Sequence, residues 1–230
     1  ISGNIFDLQG RLNLNNLVKE GKVEKRWLAV YKRLLTELEL PQSLAETLVD
    51  WIDENEQPMG SSGAEDVYYI ALEQPYRAAN QPLAHISELF LVKGYKAEIV
   101  ESLKPYVYVA PEISAININT SLDKVLRAVV PGLLLTQAED ILSTIETEPF
   151  KTVDGFLKHA SIKDKAIEPG LISVTSNYFV ANSFIEIDKS KVNLQSLIYR
   201  DEQGFVQVVL RQQSIEYEKA KQTKEAEEDE

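Results

Sequence analysis

The residues best suited to chemistry lie in an acidic, glycine-containing stretch between positions 50 and 66. Side chains that offer only oxygen atoms, on a chain that glycines allow to bend, suit a hard cation such as calcium, which takes about six to eight oxygen ligands. A structural calcium ion is therefore the cofactor that this stretch is best able to bind. The candidate metal ligands are Asp53, Asn55, Glu65 and Asp66.

The stretch departs from the best-known calcium-binding template, the EF-hand loop. Asp53, Asn55 and Gln57 match its first side-chain positions, but Pro58 stands where the template has glycine, and Ala64 stands where it has a bidentate glutamate. Two interpretations therefore remain open. The stretch is either an irregular calcium site or a solvated loop whose carboxylates cap helices.

No other group of residues in the sequence predicts catalysis. The two histidines, His85 and His159, are far apart in the chain, and neither lies in a metalloprotease or serine-hydrolase motif. The sequence has no cysteine, which excludes disulfides, thiolate chemistry and cysteine-bound zinc. We expect the protein not to be an enzyme and to have no small-molecule substrate. A calcium-dependent hydrolase that uses Asp53 is the weakest functional hypothesis.

Residues 116–146 predict two helices joined by a tight turn, in a segment that resembles a helix-hairpin-helix module. Thr120 and Ser121 are expected to cap the first helix, and a Pro-Gly pair is expected to end it. Thr136 and Glu139 predict a capping box for the second helix.

Nucleic-acid binding by this hairpin is the alternative function. Phosphate binding needs free backbone N–H groups and basic side chains at the turn, whereas positions 133–135 are leucines and Glu139 and Asp140 follow them. The net charge of −12 also argues against a protein that coats a duplex, because such proteins need clustered Lys and Arg. We favour a structural helix pair and expect no nucleic-acid partner.

The composition is that of a soluble folded protein, with 44% hydrophobic and 26% charged residues in a chain of 230. No run of about 20 apolar residues predicts a membrane span, and no signal-peptide pattern is present. The chain begins with Ile1 rather than methionine, and we expect the natural protein to extend further toward the N terminus.

Along the chain, the spacing of apolar residues changes from the alternation typical of a strand to the period of a helix, and then back to strand-like segments. Residues 5–18 alternate as in a strand, residues 22–40 follow a helical period, and Ser43 with Glu46 predicts a capping box for the next helix. An isolated first strand would expose its backbone groups, so we expect it to pair with strands from the end of the chain. Segments rich in β-branched and aromatic residues predict those strands at 178–187, 192–199 and 205–213.

These patterns predict an α+β fold in which an antiparallel sheet domain receives a large all-helical insertion. We expect the sheet domain to begin with residues 1–20 and to resume at 173–215. The inserted helical domain would be 21–172, with the hairpin at 116–146. Residues 216–230 are expected to be an acidic, disordered tail.

Several short motifs occur in a fixed order along the chain: 8–17 (LQGRLNLNNL), 48–53 (LVDWID), 63–66 (GAED), 116–120 (ININT), and Pro149-Phe150 ahead of Phe156-Leu157. As an ordered set they closely resemble the K-type minor pseudopilins of the bacterial type II secretion system. The resemblance covers most of the chain outside the acidic tail. Its specificity lies in the whole set rather than in any one motif.

The resemblance implies a pilin-like sheet domain and a structural role at the tip of the pseudopilus, where assembly would start together with the I- and J-type minor pseudopilins. It also implies a periplasmic domain of an inner-membrane protein in a Gram-negative bacterium, held in the membrane by an N-terminal helix that precedes Ile1. Calcium sites are known in the family, which favours the calcium interpretation. Because residues 5–17 would follow that helix directly, we expect them to be buried and close to the partner contacts.

Overall fold

The computed structural model describes residues 1–187 and 190–217. Within these residues the chain forms two compact units. The helical unit is Asp7–Ser176, and the sheet unit comprises Ile1–Phe6 together with the described residues from Asn177 onward.

The secondary structure of the described residues follows the predicted order of a strand, a helical region and further strands. The strands are β1 (Ser2–Asp7), β2 (Leu12–Asn13), β3 (Val18–Lys19), β4 (Lys22–Val23), β5 (Val107–Tyr108), β6 (Ile116–Asn117), β7 (Ile172–Ser173), β8 (Tyr178–Ile187), β9 (Ser190–Arg200) and β10 (Val206–Tyr217). The α-helices are α1 (Lys25–Glu37), α2 (Leu44–Ile52), α3 (Asp66–Ile70), α4 (Ala97–Leu103), α5 (Asp123–Val129), α6 (Leu135–Thr147) and α7 (Val153–Leu157). Short 3-10 helices are formed by Leu14–Leu17 and Ile86–Leu91.

The sheet unit is built on one four-stranded sheet in the order β1-β8-β9-β10. Strands β8 and β10 both pair antiparallel with β9, and the β9–β10 ladder contains a bulge between Val208 and Leu210. The first strand thus joins the strands at the end of the chain, although the whole helical unit separates them in sequence. Both the predicted pairing and the α+β fold with an antiparallel sheet are confirmed.

The structure divides the units after Phe6 and after Ser176, whereas the sequence predicts divisions after residues 20 and 172. We expected sheet residues as far as 20, but β1 ends at Asp7. Leu12 and Leu14 alternate with polar residues, but both are fully buried in the core of the helical unit and do not lie on one face of a long strand. The second boundary lies after Ser176 rather than after residue 172.

The insertion is mainly helical but also contains short strand pairs. Strands β2 and β6 pair parallel with β5 and β7, respectively, and β3 pairs antiparallel with β4. The β6–β7 pair explains the late second boundary, because Ile172 and Ser173 bond within the helical unit. The predicted acidic tail at 216–230 lies outside the described residues beyond Tyr217.

Three predicted helix caps are wrong. Ser43 precedes α2 without a side-chain cap bond, and Leu122 and Leu134 occupy the cap positions of α5 and α6. The hydroxyl groups expected to cap α5 bind elsewhere in the tertiary structure: Ser121 Oγ donates to the Asn117 carbonyl at 2.7 Å, and Thr120 Oγ1 donates to a carboxylate outside the helix.

Helix α1 lies at the centre of the core of the helical unit. Its buried face carries Trp27, Tyr31 and Leu34, as the helical spacing of its apolar residues predicts. The Tyr31 and Tyr95 hydroxyl groups are 2.8 Å apart, and Tyr95 donates to the Leu44 carbonyl at 2.8 Å. This pair satisfies two phenolic hydroxyls inside an otherwise apolar core and connects α1 to the start of α2.

Buried asparagines in the first motif hold the loop that follows β5. Asn13 Nδ2 donates to the carbonyls of Ala110 and Glu112, and Asn13 Oδ1 accepts the Ala110 N–H at 3.0 Å. In the same way, Asn16 Nδ2 donates to the Ser114 carbonyl, and Asn16 Oδ1 accepts the Ser114 N–H. Because a carboxamide both donates and accepts, each of these side chains satisfies irregular backbone that would otherwise be buried without partners.

Candidate metal centre

The acidic stretch runs from the end of α2 to the start of α3. Asp50 lies in the last turn of α2, Asp53 follows the helix directly, and Glu65 immediately precedes α3. The loop between them returns to α2, and in this way carboxylates about 15 residues apart in sequence come to neighbouring positions.

Asp50 is fully buried and holds the loop against α2. Its carboxylate accepts the Met59 N–H at 2.9 Å and the Ala64 N–H at 2.6 Å. A Cβ atom at Gly63 would lie only 2.2 Å from Asp50 Oδ2, so this close approach requires glycine. Burial raises the pKa of Asp50 to about 6, although the two N–H groups oppose the shift.

Asp53 and Asn55 shape the first half of the loop. Asp53 is buried, and its Oδ1 accepts the Asn55 N–H at 3.3 Å. Asn55 is exposed, and its Oδ1 accepts the Gln57 N–H at 2.8 Å. Burial raises the pKa of Asp53, and the bonds from Asn55 oppose this rise. Each of these oxygens retains a second lone pair.

Among the described residues, Glu65 has an unusual carboxylate. Its side chain is only 3% exposed, and neither carboxylate oxygen has a hydrogen-bond partner. Burial raises the pKa of Glu65, and together with the nearby charges of Asp50, Asp53, Asp66 and Glu56 it brings this pKa to about 8. A buried carboxylate without a donor is costly unless a proton or a cation neutralises it.

Asp66 is the predicted ligand that is most engaged elsewhere. Its Oδ1 accepts the Ala78 N–H at 2.9 Å, and its Oδ2 lies 3.5 Å from Arg77. The structure thus brings Asp53, Glu65 and Asp66 into one electrostatic neighbourhood, with Asn55 on the exposed side. It adds Asp50, which the sequence placed in the acidic stretch but not among the candidate ligands.

Lys93 binds the second half of the loop. Lys93 Nζ donates to the carbonyls of Ser62 and Gly63 at 3.0 and 3.3 Å, and it lies 4.7 Å from the centre of the Tyr68 ring. Lys93 therefore does not neutralise Glu65 through a salt bridge. Within residues 1–187 and 190–217, no three or more Asp, Glu or His side chains are already arranged to hold a metal ion.

The hairpin segment forms the predicted helix pair, α5 and α6, but its turn is poorly suited to phosphate. The Leu133 N–H donates to the Val130 carbonyl at 3.2 Å, and the Leu134 N–H donates to Gln137 Oε1 at 3.1 Å. The Leu134 side chain is 63% exposed at the tip of the turn. These donors are satisfied internally and an apolar side chain projects beside them, which opposes nucleic-acid binding.

The fold and the motif order define a component of the type II secretion system. The structure is similar over 92% of this chain, with a TM-score of 0.76 and 29% sequence identity, to a chain in the GspK-GspI-GspJ complex of enterotoxigenic Escherichia coli, and it covers 79% of that chain. The family described as type II secretion system (T2SS), protein K matches residues 10–112 and 116–175. The chain belongs to this family, as the ordered motifs predicted.

Curated relatives support the same assignment. Type II secretion system protein K of Pseudomonas aeruginosa PAO1 is 34% identical over 90% of this chain and 63% of the relative. The Klebsiella pneumoniae protein of the same name is 30% identical over 89% of this chain and 67% of its own length. The chain thus spans about two thirds of these relatives. None of the helices in the described part of the chain is long and apolar enough to cross a membrane.

Proposed function

We propose that this chain is the part of a K-type minor pseudopilin that assembles with the I- and J-type minor pseudopilins at the tip of the type II secretion pseudopilus. The observation that carries the proposal is the likeness over 92% of the chain to a protein solved in a GspK-GspI-GspJ complex. In this role the protein acts through its shape and its binding surfaces rather than by catalysis. The proposal places it on the periplasmic side of the inner membrane.

The exposed apolar side chains of β1 are the partner contact that we propose. We expected residues 5–17 to be buried. Residues 8–10 and 12–17 are buried, but Ile5 is 67% and Phe6 is 49% exposed. Strand β1 lies at the edge of the described sheet, and neighbouring apolar side chains exposed there favour a surface that a partner covers.

Mixing this chain with the soluble domains of I- and J-type minor pseudopilins should give a stoichiometric complex in size-exclusion chromatography with light scattering. Ile5→Asp should weaken the complex at least about tenfold, because it places a charge in an apolar contact. Val67→Asp is the matched control, since Val67 is 85% exposed but lies on α3 of the helical unit. Absence of a complex with the unaltered chain, or equal effects of the two variants, would contradict the proposal.

We also propose that the acidic stretch binds a structural calcium ion. Asp53 and Glu65 would hold the ion directly, and Asn55 and Asp66 would contribute the lone pairs that their backbone bonds leave free. Asp50 would keep the loop in place. The buried, unpaired carboxylate of Glu65 fits this role, because it offers two oxygen ligands and needs a positive charge. The ion would neutralise the stretch and join α2 to α3.

The calcium-free protein should lose stability as the pH rises. The pKa of Glu65 is higher in the folded chain, at about 8, than its ordinary value of 4.5, so folding favours the protonated form. The stabilisation is complete below about pH 4.5 and is lost as the pH rises through about 8. In a calcium chelator, the melting temperature should therefore fall between about pH 5 and about pH 8 by more in the unaltered chain than in Glu65→Gln.

The matched control is Glu54→Gln, because Glu54 is an exposed carboxylate of the same loop. This variant should retain the pH dependence of the unaltered chain. Saturating calcium should reverse the trend, because the ion binds the deprotonated carboxylates. A chelated protein in which Glu65→Gln leaves the pH dependence unchanged would contradict the assignment of the shift to Glu65.

A further inference from the structure

The sheet unit carries an open cavity of about 650 Å³ whose lining is unusual for the surface of a strand. The residues that line it include four carboxamides from three neighbouring strands, Asn182, Asn193, Gln195 and Gln212. Asparagine is depleted in strands, so the stability of the sheet does not explain this lining. The volume lies within the range of ligand sites, which is about 300 to 1,000 Å³.

The strand register aligns three of these carboxamides in one row across the sheet, here called the carboxamide row. Asn182 pairs with Gln195 across β8 and β9, and Gln212 pairs with Gln195 across β9 and β10. Gln195 Nε2 donates to Asn182 Oδ1 at 3.1 Å. This bond uses only part of the capacity of the pair, because each carboxamide has two N–H groups and two lone pairs. Strands lie about 4.8 Å apart, so the row is about 10 Å long, the length of a disaccharide.

Apolar side chains lie on both sides of the carboxamide row. Phe184, which also lines the cavity, pairs with Asn193 one row further along β8, and its side chain is 45% exposed. In the row on the other side, Leu197 pairs with both Val180 and Leu210. Residues two apart along a strand share a face, so the ring, the carboxamides and the aliphatic side chains all lie on one surface.

The lining favours an uncharged ligand. None of the described residues that line the cavity is charged. The row beyond Phe184 contains Glu186 and Lys191, but Lys191 Nζ lies 3.8 Å from Glu186 Oε1, so these two charges offset each other. The net charge of −12 on the chain also repels anions. The ligand class that fits is therefore neutral and rich in groups that both donate and accept hydrogen bonds.

We propose that this cavity binds a neutral glycan, a function beyond the assembly and calcium binding proposed above. Sugar hydroxyl groups both donate and accept, and so do carboxamides, so the carboxamide row can bind several hydroxyl groups without using a charge. Phe184 supplies a flat apolar surface on which the C–H face of one sugar ring packs. The row fixes the orientation of the glycan, and the ring excludes water from one side of it.

NMR titration of the isotope-labelled chain with two sugars, cellotetraose and the tetrasaccharide of N-acetylglucosamine, tests the proposal. At least one sugar should bind with a dissociation constant in the millimolar range and shift the side-chain amide signals of the carboxamide row. Gln212→Leu should weaken binding about tenfold, because it removes neutral hydrogen bonds of about 1 kcal/mol each. Phe184→Ser should also weaken it, and this second variant leaves the carboxamides in place.

Gln207→Leu is the matched control, because Gln207 is an exposed glutamine of β10 outside the cavity lining. It makes the same change on the same strand and should bind each sugar as the unaltered chain does. Equal losses in Gln212→Leu and Gln207→Leu would overturn the proposal, and so would the absence of binding by both sugars. If Gln212→Leu does not fold, as its melting curve will report, unchanged binding by Phe184→Ser would overturn the proposal instead.

Discussion

Gly10→Ala is expected to lower the free energy of unfolding by about 3 kcal/mol or more. An added Cβ would lie 2.2 Å from the Thr120 carbonyl oxygen and 2.6 Å from its carbon. Both are backbone atoms, so no side-chain rotation relieves the clash. The segment at 7–10 would have to move away from residues 115–120.

That movement would break the hydrogen bonds between the two segments. The Asn117 N–H donates to the Gln9 carbonyl at 2.7 Å, and Gln9 Nε2 donates to the Ala115 carbonyl at 2.9 Å. Asp7 accepts from Thr120 Oγ1 at 2.9 Å. Each such bond contributes about 1 kcal/mol, and the lost packing adds to the loss.

Urea unfolding monitored by tryptophan fluorescence measures this effect. Gly170→Ala is the matched control, because Gly170 has a φ of +82° but no atom within 4 Å of its added Cβ, so only backbone strain of about 1 kcal/mol is expected. If Gly10→Ala loses so much stability that it does not accumulate as folded protein while Gly170→Ala does, that outcome also supports the steric explanation. If Gly10→Ala loses no more stability than Gly170→Ala, the steric explanation is wrong.

Removal of the proposed calcium ion is expected to lower the free energy of unfolding by about 3 to 4 kcal/mol. An ion at millimolar concentration that binds the folded chain with micromolar affinity stabilises it by about that amount. The physical cause is the buried carboxylate of Glu65, which has no donor of its own and lies close to Asp50 and Asp53. Without the ion, these carboxylates must be protonated or must repel one another.

Unfolding curves in calcium, in magnesium and in chelator test this prediction. Magnesium should stabilise much less, because it demands a smaller octahedral site and gives up its water reluctantly. Asp53→Asn should reduce the response to calcium, whereas Glu202→Gln, on an exposed turn of the sheet unit, should retain it. Identical curves in calcium and in chelator would refute the metal site.

Features set by local spacing were predictable from the sequence. The helical period of residues 22–40 predicted α1 and its buried face, and the β-branched segments predicted β8, β9 and β10. An isolated first strand would expose its backbone N–H and C=O groups. This predicted its pairing with the final strands, which the sheet order confirms. The acidic residues and glycines between 50 and 66 also marked the candidate site without any structural information.

Features set by contacts between distant segments were not predictable. Alternation around Leu12 and Leu14 indicated a strand, but those leucines fill the core of the helical unit instead. Thr120 and Ser121 looked like helix caps, but their hydroxyl groups bind Asp7 and the Asn117 carbonyl.

The sequence by itself determined the family, the order of strands and helices, and the place of the acidic stretch, because each depends on residue types at short spacing. The tertiary structure alone decided where the two units divide, that Asp50 holds the loop, and that Glu65 is buried without a partner. Burial and hydrogen bonding depend on what a distant segment places beside a residue, and one-dimensional spacing does not contain that information.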